Sequence, residues 1–255
     1  MWILLLISFL LVPTACEVKP VNSDSRPVSH DRWTQLLQKH LTDEGWVDYR
    51  GFQEDSIEFQ AYLDLLRKHH PNEEHWTKSE RLAYWINAYN AFTVELVAGH
   101  YPVESIKDIK RGIPFINTVW DLKFIEIEGH KYDLNNIEHG IIRDRFEEPR
   151  IHFAVNCASR SCPKLLREAF TADKLDQQLN RAAREFLREP LRNKFHSADH
   201  ASISKLFSWY SGDFTEHMSL IEYLNRYAPV KLNEDAEIEY LEYDWTINDL
   251  DHNVE

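Results

Sequence analysis

Glycine is scarce in this chain, seven in 255 residues, and no G-x-G-x-x-G or G-K-[ST] run occurs. That excludes the glycine-rich loops that cradle nucleotide phosphates. Basic charge is short as well: 29 Lys and Arg stand against 42 Asp and Glu, a net charge of −13. A phosphate backbone would find no basic stripe, so nucleic acid is not expected as a partner. Short basic patches such as 107–111 read as solvated surface. Cysteine occurs three times, as Cys16, Cys157 and Cys162, without a C-x-x-C or an H-E-x-x-H. His139, His152, Cys157 and Cys162 are residue types that zinc accepts, but their spacing matches no metal motif, and no metal or cofactor is expected.

Long apolar runs are absent except at the start. Residues 2–12 are nearly all apolar, too few to span a bilayer as a helix, and Pro13-Thr14-Ala15-Cys16 follows. The pattern resembles a bacterial lipoprotein signal over residues 1–15, which implies lipidation of Cys16. The protein would then be exported to the periplasmic side of a bacterial membrane and held there by the lipid. A plain secretory signal cut near Ala15 is the alternative. Residues 16–30 are polar, carry Pro20 and Pro27, show no periodicity, and read as a flexible tether. An exported chain meets an oxidising compartment, where a Cys157–Cys162 bridge is chemically allowed.

What is abundant is aromatic and apolar residues, 13% and 43% of the chain, enough to bury a full core in residues 31–255. Helical spacing begins at Asp31, repeats over Ser56–His69 to Pro71, and is strongest over Glu80–Ala98, with Ser79 as the expected cap and Gly99 as the stop. This last helix is apolar almost all round, as a central buried helix would be. Asn87 and Asn90 lie on one face of it and should either pin a neighbouring backbone or line a polar cleft. Lys123–Leu134 alternates and turns at Glu128-Gly129, a hairpin pattern. Helices are further expected over Leu134–Phe146, Ala172–Arg188 and Thr215–Tyr227, with extended pieces over Ala201–Phe207 and Ile238–Asn248. The reading is one mainly helical α+β domain with a small antiparallel sheet.

Arg150-Ile-His-Phe-Ala-Val-Asn-Cys-Ala-Ser-Arg-Ser-Cys-Pro163 reads as a strand running into a polar loop, where a rigid element would aim reactive side chains. Three readings stay open for it. Cys162 or Cys157 could be a thiol nucleophile with His152 or His139 as base, Pro163 opening a helical turn behind Cys162, and Asn87, Asn90 or Ser159 serving an oxyanion. The two cysteines could instead bridge and shape the loop. Or the region could be a binding pocket for a ligand or an envelope protein or peptide, with Asn87, Asn90, Arg143, Asn156, Ser159 and Asp213 contacting it. His139, Arg143 and Asp213 with Tyr243-Asp244 could form an ion-pair cluster. The aromatics of 207–210 and 240–245 read as core, with a sugar or peptide platform as the other reading.

The pieces Tyr84-Trp-Ile-Asn-Ala-Tyr-Asn-Ala91, Leu134-Asn-Asn-Ile-Glu-His-Gly-Ile-Ile-Arg143 and Ile151–Pro163 resemble the uncharacterised domain family DUF547. Phe207-Ser-Trp-Tyr-Ser-Gly-Asp-Phe214 and Tyr243-Asp-Trp245 extend the resemblance. It implies a shared domain and brings no catalytic mechanism with it.

Overall fold

A computed structural model describes residues 18, 20–109 and 118–251. The expected leader and Cys16 lie outside the described residues. No described helix is long and apolar enough to cross a membrane. Residues 20–30 form no helix or strand, yet from Ser23 onward they are bonded to the domain rather than hanging free. Ser25 Oγ donates to the His70 carbonyl at 2.5 Å, Trp76 Nε1 donates to the Ser25 carbonyl at 3.0 Å, and buried His30 meets the Tyr62 hydroxyl at 2.8 Å.

Three helices open the domain: α1 (Asp31–His40), α2 (Tyr49–Glu54) and α3 (Ser56–Arg67). Helices α2 and α3 pack against the central helix α4 (Lys78–Ala98), and α1 packs on α2 and α3; in α4 every residue from Leu82 to Ala98 except Glu95 is buried. Glu95 is paired with Arg67 at 2.6 Å. Complete burial of a side chain such as Ile86 or Phe92 is worth roughly 1.5–3 kcal/mol, so this helix anchors the core. It starts before the expected Ser79. Thr77 is the cap, its hydroxyl accepting from Glu80 N at 3.2 Å while the Glu80 carboxylate accepts from Thr77 N at 2.7 Å, a reciprocal capping box.

The hairpin forms as expected. Strand β1 (Ile125–Ile127) pairs antiparallel with β2 (His130–Tyr132), and the turn residues Glu128 and Gly129 have φ of 47° and 77°. Two positive φ values are what a type I′ turn requires, and Gly129 meets that need without a side-chain penalty. Helix α5 (Leu134–Ile137), capped by Asp133, then widens into a π-helical segment, Glu138–Arg143. The extra residue per turn sets this segment apart from the plain helix expected over 134–146.

The strand expected at 150–156 does not form. Pro149–Phe153 is a 3-10 helix, with Pro149 in its first turn and the Glu148 carboxylate accepting from Arg150 N. The alternation that suggested a strand has a different cause. Ile151, Ala154 and Val155 face the core around α4, whereas Phe153 enters a second core with Phe186, Phe207 and Phe214. The segment runs between two apolar clusters, so burial on both sides mimics a sheet pattern without any partner strand. No helix follows Pro163 either; the next is α6 (Leu175–Arg188), which starts later than the expected Ala172.

The second core is closed by a three-stranded sheet and three short helices. Strand β3 (Lys194–Ser197) pairs antiparallel with β4 (His200–Ile203), and β4 pairs parallel with β5 (Glu237–Tyr240), so the larger sheet is mixed. Of the helix expected over 215–227 only α9 (Leu220–Leu224) forms, while α7 (Leu206–Trp209) and α8 (Ser211–Thr215) precede it, α7 ending the extended piece expected over Ala201–Phe207 early. A fresh capping box, Ser219 with Glu222, explains the restart. The C-terminal segment returns to the first helices: Val47 N donates to the Asn248 carbonyl at 2.9 Å, and Leu250 N to the Val47 carbonyl at 3.1 Å.

Candidate functional site

The cysteine loop is closed by a bond between Cys157 and Cys162. Inside it Ala158 has φ of 60°, a left-handed conformation that costs an alanine roughly 1–2 kcal/mol. Neighbours hold it there: Ala158 N donates to Asn156 Oδ1 at 2.8 Å, and its carbonyl accepts from Asn248 N at 3.3 Å. Cys162 Sγ accepts from Cys157 N at 2.9 Å and from the Tyr243 hydroxyl at 3.2 Å, and buried Ser159 donates to that same hydroxyl at 3.2 Å. Burial pushes the Tyr243 phenol well above its usual range, so it stays a donor. While the bridge stands, neither sulfur is a thiolate, and the absence of a helix behind Pro163 removes the dipole that would have favoured one at Cys162.

Beside the loop, Arg143 clamps Asp213 through two parallel bonds of 2.7 Å each, from Nε and Nη2. Its Nη1 donates to His139 Nδ1 at 2.9 Å. A guanidinium only donates, so the His139 ring proton sits on Nε2. His152, 1% exposed, reaches Asp213 Oδ2 through Nε2 at 2.7 Å. Burial alone would raise the Asp213 carboxyl. The bonds from Arg143 and His152 outweigh it and hold the group well below the usual carboxylate range. For His152, burial lowers the imidazole and outweighs the pull of Asp213, so the ring is neutral with its proton on Nε2. The other nitrogen, Nδ1, is buried without a hydrogen-bond partner. Tyr243-Asp244 does not join this cluster. Asp244 instead braces the cysteine loop, its N–H donating to Ser161 Oγ at 2.9 Å and its carbonyl accepting from Ser161 N at 3.2 Å.

His139 and His152 border a cleft of about 280 Å³. Of the residues singled out in the sequence, Cys157, Cys162, His139 and His152 line it. The amides do not. Asn87 binds both backbone groups of Phe170, at 2.8 and 2.9 Å, and Asn90 binds the Ala154 carbonyl and Asn156 N, at 2.9 and 2.8 Å. Asn156 donates to the Pro163 carbonyl at 2.6 Å. Asn90 and Asn156 thus fix the 154–163 backbone that carries Val155, the two cysteines and Pro163 to the cleft, whereas Asn87 pins Phe170, which does not line it. Arg143 and Asp213 border a separate depression of about 800 Å³ on the other side of their clamp. There Arg143 is paired with Asp213, and Arg150 with Glu148 and Asp176.

The rest of the cleft is aromatic. Trp120, Trp209 and Trp245 form its walls, Trp120 and Trp209 lying 5.6 and 5.9 Å from Trp245 between ring centroids, with Tyr243 4.6 Å from Trp245. Trp209 is 46% exposed, which a core residue would not be. Tyr210 stacks on His152 at 3.9 Å and donates its hydroxyl to Glu138 Oε1 at 2.7 Å. Glu138 lines the cleft and is 6% exposed. Glu138, Trp120 and Tyr89 escaped sequence reasoning: nothing in a helical pattern marks a glutamate as buried, and a tryptophan on an aromatic-rich chain reads as core. Among the described residues no group of three or more His, Cys, Asp or Glu is arranged to hold a metal ion.

Residues 73–187 match the model of a family described as a protein of unknown function, DUF547, which supports the domain resemblance read from the sequence. The match covers the three pieces 84–91, 134–143 and 151–163 and stops before 207–214 and 243–245. No curated protein matches the chain, and no solved structure does.

Proposed function

We propose that this chain is a ligand-binding domain whose site is the cleft between the cysteine loop, the π-helical segment and the aromatic walls. The observation that carries the reading is the pairing of a half-exposed indole, Trp209, with buried polar groups of Glu138 and His152 in one concavity. Binding sites join apolar faces to a few fixed polar groups in this way. The bridge between Cys157 and Cys162 then serves to hold the loop that borders the cleft. The chain is proposed to work on the periplasmic side of a bacterial membrane, anchored by lipid on Cys16. The apolar leader ending in Thr14-Ala15-Cys16 supports this, and release of Cys16→Ala from the membrane fraction tests it.

The binding test is calorimetric titration with cellobiose, a neutral dipeptide amide and n-butylammonium. At least one should bind, and Trp209→Ala should weaken it by about tenfold, the scale of one lost stacking face. Trp209 is exposed enough that its removal leaves the core intact. Absence of any binding, or binding indifferent to Trp209→Ala, overturns the reading.

One observation favours a second reading, a thiol hydrolase or acyltransferase acting on a peptide or amide. The two donors on Cys162 Sγ, Cys157 N and the Tyr243 hydroxyl, would stabilise a thiolate once the bridge is reduced. Hydrolysis of a peptide amide that appears only with reductant and vanishes in Cys162→Ser would establish it over the binding module.

A further inference from the structure

The hydrogen-bonding groups that line the cleft are unbalanced. His152 Nε2 carries the ring proton because its partner, Asp213, is an ionised carboxylate that can only accept. Nδ1 is therefore a bare lone pair, and it is buried with no partner. An acceptor left this way costs about 1–3 kcal/mol unless a donor reaches it. Glu138 is the second acceptor. Its carboxylate takes the Tyr210 hydroxyl at 2.7 Å and the Tyr89 hydroxyl as well, yet among the described residues it forms no ion pair. Arg143, the cation five positions further on, is committed to Asp213 and His139 through three of its nitrogens. Asp213 thus takes the Arg143 guanidinium, and Glu138 lines the cleft with no ion pair to it among the described residues.

The walls have the same preference. Indole and phenol faces carry negative potential and attract cations. Trp120, Trp209, Trp245 and Tyr243 present such faces to one small volume. One of them already holds an ammonium: Lys107 Nζ lies 3.4 Å from the Trp245 ring centroid. An anionic ligand would meet Glu138 head on. A neutral sugar would suit the indoles but would leave Glu138 without a cation.

Resting on the binding reading above, we propose that the ligand is a primary or secondary amine in its cationic form, its N–H groups directed to Glu138 and His152 and its carbon skeleton packed on the tryptophans. Donor-rich and positively charged, such a group supplies what the floor lacks, and its methylenes fit between the indole faces.

The test is calorimetry on the mature chain with n-butylammonium chloride, its neutral isostere n-butanol, and cellobiose. Butylammonium should bind at least about tenfold more tightly than butanol, the difference a charge-assisted bond to a buried carboxylate makes. Glu138→Gln, which keeps an oxygen for the Tyr210 hydroxyl, should remove most of that preference and leave butanol unchanged. Should Glu138→Gln fail to fold, Lys107→Ala gives an independent readout. It removes a like charge and frees a face of Trp245, so butylammonium should bind several-fold more tightly. Equal affinity for butylammonium and butanol, or weaker binding in Lys107→Ala, overturns the proposal. If cellobiose binds in a Trp209-dependent way and butylammonium does not, the cation inference falls and the cleft stands. If no probe depends on Trp209, both fall.

Discussion

Replacing Asn90 by alanine should unfold this domain far more readily than its small change in volume suggests. The side chain is 3% exposed and uses both ends of its amide on backbone that is equally buried. Nδ2 donates to the Ala154 carbonyl at 2.9 Å, and Oδ1 accepts from Asn156 N at 2.8 Å. Alanine leaves one acceptor and one donor unpaired where water does not reach. Each orphan costs about 1–3 kcal/mol, so the pair amounts to roughly 2–5 kcal/mol after partial relaxation. Against a typical total of about 5–15 kcal/mol that is a large share. The assay is urea unfolding at pH 7 by tryptophan fluorescence and far-ultraviolet circular dichroism, compared at unchanged slope. Asn90→Asp refines it. The carboxylate keeps the acceptor for Asn156 N but turns a second oxygen toward the Ala154 carbonyl, so its folded pKa must rise above the unfolded value of about 3.9. The unfolded state then loses its proton first, and the penalty relative to wild type grows as pH rises from 4 to 7. A loss below about 0.5 kcal/mol in Asn90→Ala, the scale of a neutral surface change, would refute the pinning role.

Buried imidazoles set the acid limit of stability. Burial lowers His30 and His70 from 6.5 to about 4, and burial lowers His152 in the same direction. The unfolded chain therefore binds more protons between pH 6.5 and 4, and stability is lost as pH falls through that window, by about 2 kcal/mol at pH 5 for each of His30 and His70. Urea midpoints that stay level from pH 7 to 5 would refute this. The Cys157–Cys162 bond predicts that, with Cys16→Ala, iodoacetamide labels nothing before reduction and then reaches the partly exposed Cys157 before Cys162, which is 2% exposed. Cys162→Ser should cost about 2 kcal/mol, as expected for so short a closed loop; labelling without reductant would contradict the bridge.

The elements most legible in the sequence were those whose local chemistry agrees with their burial. Helix α4 is apolar all round and buried all round, and Glu128-Gly129 sits in the turn that only positive φ values can make. The failures share a cause, which is that tertiary packing overrode a local period. Residues 150–156 alternate because two cores flank them, and the region 215–227 breaks because Ser219 caps a new helix. At the site, the Arg143–His139 contact followed from their spacing of four, whereas the Asp213–His152 pair joins residues 61 apart and leaves no local trace. The aromatics misled in the other direction. Trp209 and Trp245 carry no mark that distinguishes a wall from a core, since only the fold decides which face stays open.

The boundary of the matched segment cuts through the cleft. Residues 73–187 supply the two sulfurs, both imidazoles, Glu138 and Trp120, while Trp209, Tyr210, Tyr243 and Trp245 come from the remainder of the chain. A protein sharing only that segment would inherit the base of the receptacle and furnish its own rim. On the binding reading proposed above, selectivity among such proteins would then reside in sequence outside the shared segment. The same strand of chain that carries Tyr243 and Trp245 goes on to Asn248, which is tied to Val47, so shortening the C-terminus would open the receptacle and loosen the first helices in one stroke.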